Sequence, residues 1–187
     1  MIALKQILKW TIICLLAFTS FNFFISADYD FERSIEINAP HFVVAETVSD
    51  LHTWPTWAAW WANDTTIITD YTWEEKGLGA KMNWSGSEAG IGALEIVSYS
   101  LDSMETALDF GDMQTSGIWK FESLENGNTK VTWGMTGEMP YFMRFMTMFF
   151  DAMAGPDFEK GLAGLKEVCE NMPVHSSAIT EVDETSN

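Results

Sequence analysis

Basic residues are scarce in this sequence. Its 187 residues include 10 lysines and arginines against 27 aspartates and glutamates, which gives a formal net charge of −17. Proteins that bind nucleic acid cluster lysine and arginine where they contact phosphates. A chain with this acidic excess lacks the charge for such contacts, so we expect no nucleic-acid partner.

Cysteine and histidine are also rare. The two cysteines, Cys14 and Cys169, lie far apart in unlike surroundings, which excludes both a disulfide framework and a cysteine zinc site. The three histidines (His41, His52 and His175) are isolated and lack the spacing of metal ligands. We therefore expect neither a metal nor a cofactor.

Motifs of catalysis are missing as well: the sequence has no nucleophile elbow, zinc-protease motif, Walker loop or dinucleotide-binding glycine motif. Asp50 and His52 would suit an acid–base pair, but no nucleophile or third orienting group stands near them. An aspartate that caps a helix beside a surface histidine explains the same two residues. Catalytic residues therefore stay unassigned.

A long uncharged run occurs at the N-terminus. Trp10 to Ala27 contains 18 residues without a charge, and as a helix this run would span about 27 Å, close to the thickness of a hydrocarbon core. A cleaved signal peptide is the alternative, with Ala27 before the cut. Such a cut also requires a small residue at position −3, where Ile25 is bulky, and the run is longer than the apolar core of a typical signal peptide.

We therefore expect residues 1–27 to form a retained membrane anchor, with a signal segment as the alternative. Lys5 and Lys9 precede the run and would keep the N-terminus in the cytoplasm, with the following domain on the extracytoplasmic side. Cleavage would instead make the protein secreted or periplasmic.

The rest of the chain reads as strands between helices, and 14% aromatic residues provide enough surface to bury that disorder is excluded for most of it. Apolar and polar residues alternate in the first strand, where Phe31, Arg33, Ile35 and Ile37 share a face. Glycine, asparagine and aspartate separate the later strands, as tight turns require. The predicted strands are 29–37, 65–73, 80–86, 91–100, 104–110, 116–124 and 129–137.

Helices are expected after the first strand and at the end of the chain. Pro40 opens the first, and the tryptophan-rich segment restarted at Pro55 forms a short second one. A last helical region runs from Tyr141 to about Met172 with a break at Gly155-Pro156, and its first half should cover the sheet. Residues 173–187 are polar and acidic and are expected to be a disordered tail.

This order of elements resembles the SRPBCC superfamily, and within it the proteins described as polyketide cyclase/dehydrase. The resemblance covers about residues 29–171 and rests on the segments ERSIEINAP, VSDLHTWPTWAAW, GLGAKMNWSGSEAGIGALEIVSYS, NTKVTWGMTGEM and AGPDFEKGLAGLKEVCE. It implies an α+β, START-like helix-grip domain over residues 28–172, in which a curved antiparallel sheet wraps around a long C-terminal helix. Two short helices follow the first strand. Because such domains serve carriers, receptors, enzymes and chaperone activators, the resemblance implies the fold more than the chemistry.

A ligand cavity between sheet and last helix is the functional expectation. Alternation and helical spacing assign its lining to Arg33, Met82, Trp84, Leu108, Trp119, Trp133, Met135, Met143, Met146 and Phe150. The same apolar residues would also suit a filled core. Arg33 would bind a ligand carboxylate or phosphate, or else form an ion pair with a carboxylate of a neighbouring element.

Three function classes follow. The first is membrane-tethered binding of an apolar small molecule or lipid, which needs only the cavity. The second is a polyketide cyclase-like enzyme acting on an aromatic or polyketide substrate, where the cavity would orient the substrate. The third is a partner-binding regulatory domain that uses its acidic surface.

Overall fold

The computed structural model describes residues 2–72, 76–111 and 113–172. Seven strands were predicted within the domain, and all seven are present: β1 Asp28–Ile37, β2 Ile68–Tyr71, β3 Lys81–Gly86, β4 Gly90–Tyr99, β5 Ser103–Asp109, β6 Gln114–Ser123 and β7 Thr129–Glu138. They form one antiparallel sheet in the order β1-β7-β6-β5-β4-β3-β2. β2 is shorter than predicted because Thr65 and Thr66 form a turn; Trp73, its predicted last residue, lies outside the described residues.

The helices also follow the predicted order, except that the tryptophan-rich segment forms two short helices instead of one. The helices are α1 Ile2–Phe23, α2 His41–Ser49, α3 Trp54–Trp57, α4 Ala59–Asn63 and α5 Thr147–Asn171, with 3-10 turns at Leu51–Thr53 and Tyr141–Met146. The helix-grip fold is therefore confirmed. The expected tail at 173–187 lies outside the described residues.

The sheet has a charged outer face and an apolar inner face, as the alternation predicted. In β5, buried Met104, Thr106 and Leu108 alternate with exposed neighbours. The other strands place Ile37, Ile96 and Phe121 in the same core. Helices α2 to α5 lie on this inner face and enclose the core between themselves and the sheet.

The predicted break in the last helix is absent. Pro156 lies inside α5, which continues unbroken through it. An interior proline costs a helix about 3 kcal/mol, but buried Phe158, Leu162 and Leu165 hold the following turns against the core. Tertiary packing therefore overrides the local signal.

The prediction that the start of the last helical region covers the sheet is wrong for much of it. Phe142, Met143, Phe149 and Met153 are exposed. The 3-10 turn Tyr141–Met146 lies beside α1, and α5 packs mainly along β1, the first strand at the sheet edge. The helix therefore covers one edge of the sheet and leaves the opposite half to α4.

Candidate functional site

A cluster of tryptophans fills the middle of the grip. The rings of Trp119 and Trp133 stack with centroids 4.4 Å apart, and Phe158 of α5 lies 4.0 Å from Trp133. Trp54, Trp57 and Trp60 surround this pair from α3 and α4. Trp119 and Trp133, which were predicted to line a cavity, therefore occupy the space where that cavity was expected.

The local sequence explains how these rings are held. Pro55 lies in the first turn of α3, and the chain turns through Ala58 into α4, so that both short helices present tryptophans to the sheet. The Trp54 indole donates to the carbonyl of Val48 at 2.8 Å, and the Trp57 indole donates to Thr53 Oγ1 at 3.0 Å. These bonds fix the orientation of two rings.

A separate apolar cavity of about 170 Å³ lies between α4 and the strands β3 to β5; we call it the α4 cavity. It is lined by Trp60, Trp61, Ile67, Met82, Trp84, Ala89, Leu94, Leu108 and Phe110. Of the predicted lining, it contains Met82, Trp84 and Leu108. No residue of α5 lines it, in contrast to the expected position between sheet and C-terminal helix.

Sequence reasoning missed parts of this lining for identifiable reasons. Trp60 and Trp61 stand next to each other in α4, so both cannot follow a simple helical stripe. Ala89 belongs to the β3–β4 turn, where alternation gives no signal. Ile67 and Phe110 lie inside the predicted strands 65–73 and 104–110 but just outside β2 and β5. Phe110 has the same phase as Met104 and Leu108, so alternation indicated its inward side, but only the sheet topology brings these residues to the same end of the molecule.

The position of Trp84 depends on a glycine in the neighbouring strand. Trp84 pairs with Gly92 across β3 and β4, and a side chain at Gly92 would overlap the indole ring. The ring instead lies flat over Gly92 and meets Phe110 edge-on, with centroids 5.6 Å apart. Gly92 thus provides the space that makes Trp84 a cavity wall.

A buried carboxylate holds the turn that carries Ala89. Asp64 follows α4 and accepts backbone hydrogen bonds from Thr66, Glu88 and Ala89 at 2.9, 2.8 and 3.0 Å. Together with the Thr66 hydroxyl, which has the largest effect, these donors hold the pKa of Asp64 well below its usual range. Asp64 therefore ties the end of α4 to the β3–β4 turn, which carries the lining residue Ala89.

Arg33 does not line the α4 cavity. Its Nη2 lies 2.7 Å from Asp151 Oδ1 and its Nε lies 2.8 Å from Glu159 Oε1, both on α5. The hydrogen bond to Glu159 and then that to Asp151 raise the pKa of Arg33. The guanidinium passes over Gly155, where any side chain would collide with it. Of the two roles considered for Arg33, the ion pair is the one that the structure displays.

The remaining predicted residues are dispersed. Met135 is buried in the core, and Phe150 packs on Tyr29 with ring centroids 4.4 Å apart. Met146 is half-buried and Met143 is exposed. None of the four lines the α4 cavity.

Asp50 and His52 lie near each other but also outside the cavity lining. Asp50 Oδ1 accepts from the backbone N–H of His52 at 3.0 Å, as a helix cap does, and the His52 ring stacks on Tyr71 at 3.9 Å. Among the described residues, no group of three or more histidine, cysteine, aspartate or glutamate side chains is arranged to hold a metal.

A family model described as polyketide cyclase/dehydrase and lipid transport matches residues 29–170 of the chain. No curated protein matches the sequence. The match extends from β1 to the last turn of α5, so it includes every residue of the α4 cavity.

Solved structures with the same fold share little sequence. A Staphylococcus aureus protein of unknown function is 12% identical with a TM-score of 0.58, over 76% of this chain and 95% of its own. A Chromobacterium violaceum protein is 12% identical with a TM-score of 0.56, over 77% and 99%. The di-domain ARO/CYC protein BexL is 17% identical with a TM-score of 0.57, over 79% of this chain and 52% of its own. At these identities the likeness establishes the fold alone.

Proposed function

Because the chain belongs to the polyketide cyclase/dehydrase and lipid transport family, we propose that its domain binds a small, neutral, apolar molecule in the α4 cavity while α1 tethers it to a membrane. The α4 cavity is the observation that carries the proposal. All nine of its lining residues are apolar, and three of them are tryptophans. Pockets for small molecules are mostly apolar in this way.

The size of the cavity limits the guest. Its volume of about 170 Å³ is near that of an engineered apolar cavity of ~150 Å³ that binds benzene, and it is below the range of drug-sized pockets. A single aromatic ring or the end of an alkyl chain fits this space. A long lipid would have to leave most of its length outside.

The charge of the guest follows from the lining. Among the described residues, no charged side chain lines the α4 cavity, and Arg33, the cation expected to receive an acidic group, is paired with α5. An anionic group would lose hydration in the cavity without gaining a partner. We therefore expect neutral guests to bind better than acids of the same shape.

The cavity proposal is tested by quenching of tryptophan fluorescence with bromobenzene, a one-ring guest whose heavy atom quenches indoles. Saturable quenching is expected, and 4-bromobenzoate should bind more weakly. Ala89→Leu should fill the cavity and weaken bromobenzene by about tenfold or more, that is, by about 1.4 kcal/mol. Ala107→Leu is the matched control, because Ala107 is exposed on the outer face of β5. Absence of saturable quenching, or equal effects of the two variants, would refute the proposal.

The proposed attachment to a membrane depends on α1. In the described part of the chain, Ala3–Phe23 is the one helix that is long and apolar enough to cross a membrane, and the 18-residue apolar window within it is not buried against the domain. The full-length protein should stay with membranes after carbonate extraction. Recovery of a native N-terminus at Asp28 would instead identify a cleaved signal segment.

The cyclase-like and partner-binding hypotheses remain predictions. The cyclase hypothesis requires an acid–base group near the guest, and Asp50 and His52 are the candidates it names. A turnover that disappears in Asp50→Asn or His52→Gln, while bromobenzene still binds, would favour the enzyme.

A further inference from the structure

The surface beside α1 is unusually apolar for a domain of this charge. Phe142, Met148, Phe149 and Met153 expose between 56% and 64% of their surface. They belong to the segment from Met139 to Met153, whose first acidic residue is Asp151. In a chain with 27 acidic residues, such a stretch is where contact with the phosphates of a lipid surface meets the least repulsion.

This segment is attached directly to α1. The Tyr141 hydroxyl donates to the carbonyl of Thr19 at 2.6 Å, and the backbone N–H of Phe145 donates to Asn22 Oδ1 at 3.0 Å. Phe18 and Phe145 meet edge-on with ring centroids 5.6 Å apart. Asn22 is completely buried in this contact. The apolar face is therefore continuous with the last turns of the membrane helix.

The attachment sets the depth of the segment. Thr19 lies four residues before Phe23, where α1 ends, so the Tyr141 contact is about 6 Å inside the helix end at 1.5 Å per residue. Residues 3–18 of α1 are all exposed. A bilayer that surrounds this exposed span would reach the level of Tyr141. Interfacial helices insert their apolar faces to a similar depth of ~5–10 Å.

The residue types suit that depth. Aromatic rings concentrate at the boundary between lipid and water, and Tyr141, Phe142 and Phe149 are all at least partly exposed here. The Arg144 guanidinium lies 5.2 Å from the centre of the Tyr141 ring. Its Nε is buried without a hydrogen-bond partner, and no carboxylate of the described residues pairs with it.

We propose that the Tyr141–Met153 face is a second membrane contact, which lies in the headgroup region of the bilayer that α1 crosses and holds the domain against it. The inference rests on the proposed α1 anchor. It adds that the domain has one fixed orientation on the membrane, with α5 towards the lipid. A domain on a free linker would have no such orientation.

The test uses full-length protein in phosphatidylcholine vesicles, with an environment-sensitive fluorophore on single cysteines. Cys14→Ser provides the background, because Cys169 is buried and does not react readily. Labels are placed at Leu15 in α1, at Phe149 in the proposed contact, and at Ile91 as the control. Ile91 is an apolar side chain that is 80% exposed on β4. Lipids that carry a quencher on the acyl chain report which labels reach the bilayer.

The labels at Leu15 and Phe149 should both be quenched, that at Phe149 best by shallow quenchers, and that at Ile91 should not. Quenching at Leu15 with none at Phe149 would overturn the second contact and leave the anchor intact. Equal quenching at Phe149 and Ile91 would overturn the fixed orientation. No quenching at Leu15 would refute the anchor itself, and the inference with it.

Discussion

Asp64 is the carboxylate that joins α4 to the β3–β4 turn. Its pKa is lowered by the hydrogen bonds it accepts, so its contribution to stability is present above the unfolded pKa of about 3.9. It is lost as the pH falls through the lower folded value. Asp64→Asn should therefore lower the melting temperature clearly at pH 7 and progressively less below about pH 4.

Thermal melts at pH 7 and pH 3 measure this difference. Asp70→Asn is the control, since Asp70 is an exposed aspartate of β2 and its replacement should change little. A melting-temperature loss for Asp64→Asn that is the same at both pH values would mean that the charged form of Asp64 is not what stabilises the turn.

Arg33 is the second residue for which the structure changes the expectation. Its ion-pair partners Asp151 and Glu159 are exposed on α5, and exposed ion pairs contribute about 0–1 kcal/mol each. Arg33→Met should therefore lower the free energy of unfolding by at most about 2 kcal/mol. It should leave the affinities for bromobenzene and 4-bromobenzoate unchanged. If titrations show that Arg33→Met weakens the binding of 4-bromobenzoate but not that of bromobenzene, Arg33 belongs to the binding site.

At the scale of the element, α5 has two halves with different surroundings. Phe158 is almost completely buried against Trp133, whereas Phe149 is mostly exposed. Phe158→Ala should cost about 3–5 kcal/mol of unfolding free energy. Phe149→Ala, the same substitution in the first half of α5, should change the unfolding free energy by no more than about 0.5 kcal/mol.

Denaturant unfolding in detergent compares the two variants directly. A large loss for Phe149→Ala would mean that the first half of α5 packs on the domain, against the exposure seen here and against its proposed contact with lipid. Equal midpoints for Phe158→Ala and the unmodified protein would place the Phe158 ring outside the core.

At the scale of the whole molecule, α1 is attached to the domain through a surface turn rather than through the core. α1 packs mainly on the 3-10 turn Tyr141–Met146, and that turn has no buried residues. Removal of residues 1–26 should therefore leave the melting temperature of the domain within a few degrees, since about 1 kcal/mol shifts it by ~2–8 °C. Circular-dichroism melts of the truncated and full-length proteins in the same detergent make the comparison. A domain that no longer melts cooperatively after truncation would show that α1 is part of its core.

The sequence by itself determined the elements whose signal is local. The period-2 alternation placed all seven strands, because each strand buries one face and leaves the other in water. It also determined which side of each strand is inside, and hence the burial of Met82, Leu108, Trp119 and Trp133. The apolar N-terminal run, with its lysines, predicted a helix long enough to span a bilayer.

The tertiary structure alone decided where the cavity lies. Alternation states that Trp84 and Trp133 point inwards, but it does not state how much volume their neighbours leave. The tryptophans of α3 and α4 fill the space above Trp133, whereas Gly92 and the turn held by Asp64 leave a gap beside Trp84. Because α5 runs along β1, Arg33 forms ion pairs with Asp151 and Glu159 and is not free to bind a ligand. These outcomes depend on contacts between residues distant in sequence, which no local periodicity records.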